Sequence, residues 1–93
     1  MDLGIKGRNA LITGGSQGIG RACAEALAEE GVNIVIVARD PKRLASAAEE
    51  ISTNRTGHVT PVTGDLTNVA DIKRIVAEAE TTLGQIDILV NNA

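Results

Sequence analysis

Two kinds of apolar periodicity alternate along this chain, and the alternation constrains its fold more than any other feature. Short apolar runs, most of them rich in β-branched residues, occupy 9–13, 33–38, 59–63 and 86–90. Near-continuous runs of this kind are typical of strands buried on both faces of a parallel sheet. Apolar residues at helical spacing fill the three segments between them. Right-handed crossovers then predict an α/β fold with a doubly wound parallel sheet in strand order 3-2-1-4.

The helical segments carry their own boundary signals. Asp40 followed by Pro41 indicates a capped helix start, and Thr67 or Asn68 is expected to cap the third helix. Pro61 has no amide donor, so its strand should lie at an edge of the sheet. Three glycines stand where helices should stop in a left-handed residue: Gly31, Gly57 and Gly84. The spacing predicts one buried stripe on each of the three helices: Ile19, Ala22, Cys23, Ala26 and Leu27 in the first, Leu44, Ala47, Ala48 and Ile51 in the second, and Ile72, Ile75, Val76, Ala79 and Leu83 in the third.

Composition excludes several classes of function. The 93 residues suffice for one domain at most. Nine basic against twelve acidic residues give a net charge of −3, and the absence of Phe, Tyr and Trp removes stacking platforms for bases, so a nucleic-acid partner is not expected. One cysteine, Cys23, and one histidine, His58, cannot form a zinc site, and no metal site is expected. With neither an apolar run of membrane-spanning length nor a signal-peptide core, we expect a soluble, cytoplasmic chain without a membrane partner.

The first strand runs into a glycine-rich loop with a helix starting inside it. The segment from Thr13 to Gly20 contains four glycines in seven residues. A diphosphate binds at a helix N-terminus, where the dipole is positive and backbone N–H groups are unpaired, and glycines let the chain approach it closely. The alternative is a tight βα turn, but the strand-loop-helix context favours a dinucleotide site in a Rossmann-like sheet. The candidate loop residues are Gly14, Ser16, Gln17, Gly18, Ile19 and Gly20.

The loop reads Thr-Gly-x-x-x-Gly-x-Gly, which resembles the short-chain dehydrogenase/reductase family. Two later motifs extend the resemblance: Asp65-Leu66 after the third strand, and Asn91-Asn92-Ala93 after the fourth. The resemblance implies that Asp65 and Leu66 contact adenine, that Asn91 contacts a ribose of the cofactor and ties the fourth strand to its neighbour, and that Ala93 belongs to the same motif. Asp65 could instead be a turn acid, and Asn91 a purely structural amide.

The end of the second strand bears on the choice of cofactor. Members of the family that use NAD usually place an acid there, whereas this chain has Ala38 followed by Arg39. A guanidinium suits a 2′-phosphate through paired, charge-assisted bonds, so NADP(H) is predicted over NAD(H). In the alternative, Arg39 is a solvated loop cation and Asp40 serves the ribose, although Pro41 makes Asp40 a better helix cap.

The family's catalytic Tyr-x-x-x-Lys pair is not among these residues, and the sequence contains no Tyr. We therefore interpret residues 1–93 as the N-terminal, cofactor-binding part of a single Rossmann domain whose catalytic half lies elsewhere. The resemblance implies a parent enzyme that moves hydride between NADP(H) and a small carbonyl or alcohol substrate and that forms homo-oligomers. Residues 1–93 alone are expected to be inactive, with no catalytic residue among them. A non-catalytic dinucleotide-sensing module and, less favoured, an S-adenosylmethionine methyltransferase core are the alternatives.

Overall fold

The computed structural model describes residues 4–53 and 55–92, which form one parallel sheet and three helices. The strands are β1 (Asn9–Thr13), β2 (Asn33–Ala38), β3 (Val59–Thr63) and β4 (Ile88–Asn91), and the helices are α1 (Gly18–Glu29), α2 (Pro41–Ser52) and α3 (Val69–Leu83). All pairings are parallel and the strand order is β3-β2-β1-β4, which confirms the predicted fold. None of the helices in the described ranges is long and apolar enough to cross a membrane.

The core has two layers because β2 is buried on both of its faces. Residues 34–37 of β2 are all fully inaccessible to solvent. On one face, Ile34 and Ile36 pack with Leu44 and Ile51 of α2, and on the other face β2 packs with Ile75 of α3. Each fully buried side chain of this size contributes roughly 1.5–3 kcal/mol relative to its exposed state. This double burial explains why β2 reads as a continuous apolar run.

The helix boundaries follow the predicted signals, with one exception. Asp40 caps α2 by accepting from the backbone N–H groups of Lys42 and Arg43, and Asn68 rather than Thr67 caps α3. Two of the glycines predicted to end helices have positive φ angles, of 80° and 82°: Gly31 and Gly84. The prediction for Gly57 was wrong, because α2 ends earlier, at Ser52, and Gly57 does not have a positive φ. A glycine is required at that position because an added Cβ would overlap the Val32 carbonyl.

The buried face of α1 differs from the predicted stripe. The helix buries a line of small residues at i, i+4 and i+8 spacing: Gly20, Ala24 and Ala28. Cys23 and Leu27 are only half-buried, and Ile19 is 72% exposed. Small residues let the helix axis come close to the sheet, so the larger apolar residues beside them are left at the margin of the contact. The periodicity therefore identified the helix correctly but placed its inner face one residue off.

The third helix is also less buried than its sequence predicts. Among the predicted stripe residues, only Ile75 and Ala79 are buried, whereas Ile72 and Val76 are exposed at 38% and 39%. Among the described residues the helix packs mainly on β2 and β3, and the apolar side chains outside that contact stay partly accessible to solvent. Leu89 of β4, which is 66% exposed, is left uncovered in the same way.

Both outer strands depart from a regular ladder. Pro61 lies in β3 at one edge of the sheet, as predicted, where a missing donor has least effect. At the other edge, β4 begins at Ile88 instead of the predicted residue 86. Before that point the contact with β1 is mixed. The Asp87 backbone N–H still donates to the Asn9 carbonyl at 2.9 Å, but the Asn9 backbone N–H donates to the Asp87 carboxylate at 3.0 Å, and the Asn9 side-chain amide donates to the Gln85 carbonyl at 2.8 Å.

Candidate cofactor-binding site

A cleft of about 660 Å³ lies at the carboxyl ends of the strands, beside the start of α1. Its position follows from the topology, because the connections after β1 and β3 leave the sheet towards opposite faces and a crevice opens where the strand order reverses. Seven of the residues predicted from sequence line it: Gly14, Ser16, Gln17, Gly18, Arg39, Asp65 and Leu66. The fold therefore brings together residues from three separate loops at one edge of the sheet.

The floor of the cleft is the glycine loop between β1 and α1. Gly14 has a φ of 70°, and a Cβ on it would approach the Asn92 carbonyl oxygen to 2.5 Å. Gly20 is buried beneath the loop, and a Cβ there would overlap the Gly14 carbonyl oxygen. Gly18 has a φ of 63° and lines the cleft, and a Cβ on it would meet no protein atom within 4 Å. The glycines thus allow a sharp turn and leave space beside the helix start for a ligand.

The start of α1 differs from the starts of the other two helices. Asp40 and Asn68 cap α2 and α3 with their side chains, whereas within the described part of the chain Gln17 makes no side-chain cap on α1. The first turn of α1, like that of α2, has no acidic residue, whereas the first turn of α3 contains Asp71. Unsatisfied N–H groups and the positive end of the helix dipole therefore remain available to an anion.

The seam between β1 and β4 fixes one wall of the site. The Thr13 hydroxyl lies 3.1 Å from Asn91 Oδ1, to which it can donate, and it accepts from the Asn92 backbone N–H at 3.1 Å. Asn91 therefore ties the two strands together, while Asn92 lines the cleft. Neither Ile19 nor Asn91 lines the cleft, so their predicted contacts with a cofactor stay predictions. The predicted site residue Ala93 lies outside the described residues.

The end of β2 presents positive charge to the cleft. Arg39 is exposed and lines it, and across residues 4–53 and 55–92 no carboxylate lies within 4.0 Å of its guanidinium. Arg43, on the first turn of α2, lines the same wall and donates to Gln17 Oε1 at 3.4 Å. Asp40 also reaches the cleft, but its carboxylate accepts from the N–H groups that open α2, at 3.1 and 3.2 Å.

Asp65 lies at the opposite wall, after β3. Its Oδ1 accepts from the backbone N–H of Thr67 at 2.9 Å and from the Thr67 hydroxyl at 2.7 Å. These two bonds, followed by the positive charge of Arg39, lower the pKa of the Asp65 carboxyl below its ordinary value. The group is therefore an ionised acceptor at neutral pH. No group of three or more metal-ligating side chains occurs in the described part of the chain.

Seven residues that line the cleft were not among the predicted site residues: Val37, Ala38, Asp40, Arg43, Gly64, Thr67 and Asn92. The sequence nevertheless draws attention to four of them, since Ala38 and Asp40 stand at the end of the second strand, Asn92 belongs to the last motif, and Arg43 forms a basic cluster with Arg39 and Lys42 around the proposed phosphate. Local spacing gives a signal for two of the seven. Arg43 lies three residues after the cap of α2, on the turn that faces the end of the sheet, and Thr67 follows Asp65 at the spacing of an Asx turn. Most of the others are neighbours of predicted residues and enter the cleft wall with them.

A parallel sheet in this order, with a glycine loop at the switch point, defines a Rossmann-type α/β domain. Comparison with known families narrows the class: residues 8–93 match the model of the family described as short chain dehydrogenase. The chain belongs to the short-chain dehydrogenase family. Among curated proteins, an uncharacterised oxidoreductase of Staphylococcus saprophyticus is 39% identical over 89 residues, which are 96% of this chain and 38% of that protein.

Two solved structures are similar along nearly all of this chain. L-sorbose reductase from Gluconobacter frateurii, complexed with NADPH and L-sorbose, is 43% identical with a TM-score of 0.93, and the match covers 100% of this chain and 35% of that one. The RhlG/NADP complex of Pseudomonas aeruginosa is 38% identical with a TM-score of 0.88, covering 99% of this chain and 34% of that one. The chain thus spans little more than a third of the length of these relatives.

Proposed function

We propose that the protein is an NADP(H)-dependent oxidoreductase that transfers hydride between the nicotinamide and a small carbonyl or secondary alcohol, with residues 1–93 supplying the cofactor-binding part of one Rossmann domain. The observation that carries the proposal is the end of β2, where Arg39 faces the cleft and Asp40 caps α2 through its Oδ1. The NADPH and NADP complexes of the two similar structures support the same choice of cofactor.

The residues present fit such a cofactor, because the glycine loop provides both free space and hydrogen-bond donors. The start of α1 has no capping side chain, and Gly18 leaves free space beside it, so backbone N–H groups can donate hydrogen bonds to a diphosphate there. Ser16 and Gln17 line the same part of the cleft and would add side-chain contacts. Gly14 and Gly20 would act indirectly, because they keep the loop close to β4 and to the helix.

The two arginines would hold the 2′-phosphate of the adenosine ribose. Arg39 supplies a planar fork of donors that matches phosphate oxygens, and Arg43 adds a second positive charge on the same wall. An NAD-specific site needs a carboxylate that accepts from the 2′-OH. Ala38 cannot provide one. Asp40 Oδ1 holds the start of α2 by accepting from two backbone N–H groups, so only Asp40 Oδ2 is without a hydrogen bond among the described residues, and the Asp40→Ala variant tests whether it serves the ribose.

When bound, the nicotinamide cofactor supplies or takes up the hydride. The chain's own part is to bind the cofactor's adenosine and diphosphate and to hold their orientation in the cleft. Proton transfer to or from the substrate oxygen needs a positioned acid-base group. The sequence has no Tyr, and we assign no catalytic residue within 1–93. We propose that the catalytic Ser, Tyr and Lys of the family belong to the remainder of the full-length protein.

The proposal is tested with the full-length protein by titrating NADPH and NADH against wild type and an Arg39→Ala variant. A charge-assisted contact corresponds to about tenfold to a hundredfold in affinity, so the variant should lose that factor for NADPH and keep its affinity for NADH. Lys42→Ala is the matched control, because Lys42 is a cation on the same turn that does not line the cleft. An Arg39→Ala variant with unchanged cofactor preference would refute the assignment.

A further inference from the structure

We infer that Asp71 and Arg74, two residues of α3 that do not line the cleft, are positioning residues that hold Asp65 in place for adenine. The inference rests on the proposed function and on the predicted contact of Asp65 with adenine, in which the Asp65 carboxylate would accept from the adenine amino group. Asp71 and Arg74 lie outside the cleft and would fix the loop that carries Asp65.

The first observation is the direction of the Asp71 carboxylate. Asp71 is the third residue of α3, the position at which an acid usually reaches back to the backbone N–H of the capping residue. Asn68 is that capping residue, and it accepts from the Asp71 N–H at 3.2 Å, as in an ordinary cap. The Asp71 carboxylate, however, accepts from the backbone N–H of Asp65 at 2.9 Å, while the Asn68 N–H donates to the Asp65 carbonyl at 3.1 Å. The helix start is therefore linked directly to the backbone of Asp65.

The second observation is the contact of Arg74 with the end of β3. Its Nη2 donates to the Thr63 carbonyl oxygen at 2.7 Å and lies 3.9 Å from Asp71 Oδ1. Between these anchors, the Gly64 N–H donates to the Ala38 carbonyl oxygen at 3.0 Å. A Cβ on Gly64 would overlap the side chain of Ile75, so α3 lies directly against this segment. Residues 63–65 are thus held by β2 from one side and by α3 from the other.

The result is a fixed orientation of the Asp65 carboxylate in the cleft wall. Oδ1 is engaged by both donors of Thr67, whereas Oδ2 receives no hydrogen bond from the residues that the structure describes. An anchored backbone and one engaged oxygen leave Oδ2 as an oriented acceptor for an N–H donor of a ligand. Capping alone does not require this arrangement, because Asn68 already caps α3.

The readout is the discrimination of adenine from hypoxanthine, which replaces the amino group with an oxygen. We would measure, by calorimetric titration of the full-length protein, the Kd of NADPH and of its hypoxanthine analogue for each variant. Wild type should prefer NADPH by roughly tenfold, which corresponds to one charge-assisted hydrogen bond. Asp71→Ala should reduce that preference to about threefold or less. If Asp71→Ala fails to fold, Arg74→Met is the second variant, because the side chain of Arg74 is exposed. The matched control is Glu78→Ala, which removes the other carboxylate partner of Arg74, at 3.3 Å, without touching residues 63–65.

An Asp65→Ala variant separates the two levels of the argument. If Asp65→Ala keeps the full preference for adenine, the adenine role of Asp65 is wrong, and the inference about its supports falls with it. If Asp65→Ala abolishes the preference while folded Asp71→Ala and Arg74→Met keep it, the adenine role stands and the positioning inference is overturned. If Glu78→Ala lowers the preference as much as Asp71→Ala does, the effect is a general one of α3, and the inference is likewise overturned.

Discussion

Gly20→Ala tests most directly whether the close approach beneath the glycine loop holds the site together. Gly20 is the third residue of α1 and is buried, and an added Cβ would overlap the Gly14 carbonyl oxygen and lie 2.9 Å from Asn92 Nδ2. Overpacking of this kind costs roughly 1–3 kcal/mol, whereas Ala gains about 1 kcal/mol over Gly in a helix. Because the nearest atom belongs to the backbone and cannot swing away, we expect a net loss of about 1–2 kcal/mol in the free energy of unfolding.

The same substitution should weaken binding beyond its effect on stability. Relief of the overlap moves Gly14 or the start of α1, and both define the proposed diphosphate site, so the affinity for NADPH should fall by about tenfold. The assays are urea unfolding and calorimetric titration of the full-length protein. Gly84→Ala is the control: its φ of 82° and ψ of −130° lie in a region that side chains rarely adopt, so alanine should cost about 1–3 kcal/mol far from the cleft, without a change in affinity. A Gly20→Ala variant that binds NADPH as wild type does would refute the reasoning about the loop.

Two further predictions concern the carboxylates of the cleft. Asp40→Ala removes the acceptor of the Lys42 and Arg43 N–H groups and should lower the free energy of unfolding by about 1 kcal/mol, measured by urea unfolding, while the affinity for NADH stays unchanged; a severalfold loss for NADH would mean that Asp40 serves the ribose. Thr67→Val removes a hydroxyl donor to Asp65 and should raise the Asp65 pKa towards 3.8 in an NMR titration of its carboxyl carbon. A lowered folded-state pKa stabilises the protein above the unfolded-state pKa, and that stability is lost as pH falls through the folded-state pKa. Wild type and Thr67→Val should therefore differ in the contribution of Asp65 to stability at neutral pH and converge once the pH lies below the folded-state pKa of Asp65; an unchanged pKa would contradict this account.

The fold was predictable because local signals and topology agree. The apolar run of β2 requires burial on both faces, and Pro61 permits only an edge position, so the strand order follows with little freedom. The faces of α1 and α3 were less predictable. Helical spacing reports where apolar residues recur, but not that α1 approaches the sheet through Gly20, Ala24 and Ala28, or that part of α3 has no cover among the described residues.

The site was predictable where a residue type is required by the backbone, and less so where side chains cooperate across the chain. Gly14 and Gly18 have positive φ angles, a demand that glycine meets without strain. The contact of Asp71 with the Asp65 backbone is different, because Asp71 reads in sequence as an ordinary acid in the first turn of a helix. Only the packing of α3 against the end of β3 brings the Asp71 carboxylate to the backbone N–H of Asp65.

The net charge of −3 does not oppose the binding of a phosphate-rich ligand in this cleft, because screening at physiological salt limits charge effects to about 8 Å. The groups that form the proposed phosphate sites are Arg39, Arg43 and the uncapped start of α1. The two carboxylates that line the cleft are each engaged by donors: Asp40 by the N–H groups of α2, and Asp65 by Thr67. Hydrogen bonds of this kind disperse the negative charge of each carboxylate over a helix start or a turn. The cleft can therefore hold acids beside the proposed phosphate sites, and the distribution of charge, rather than its sum, favours an anionic ligand.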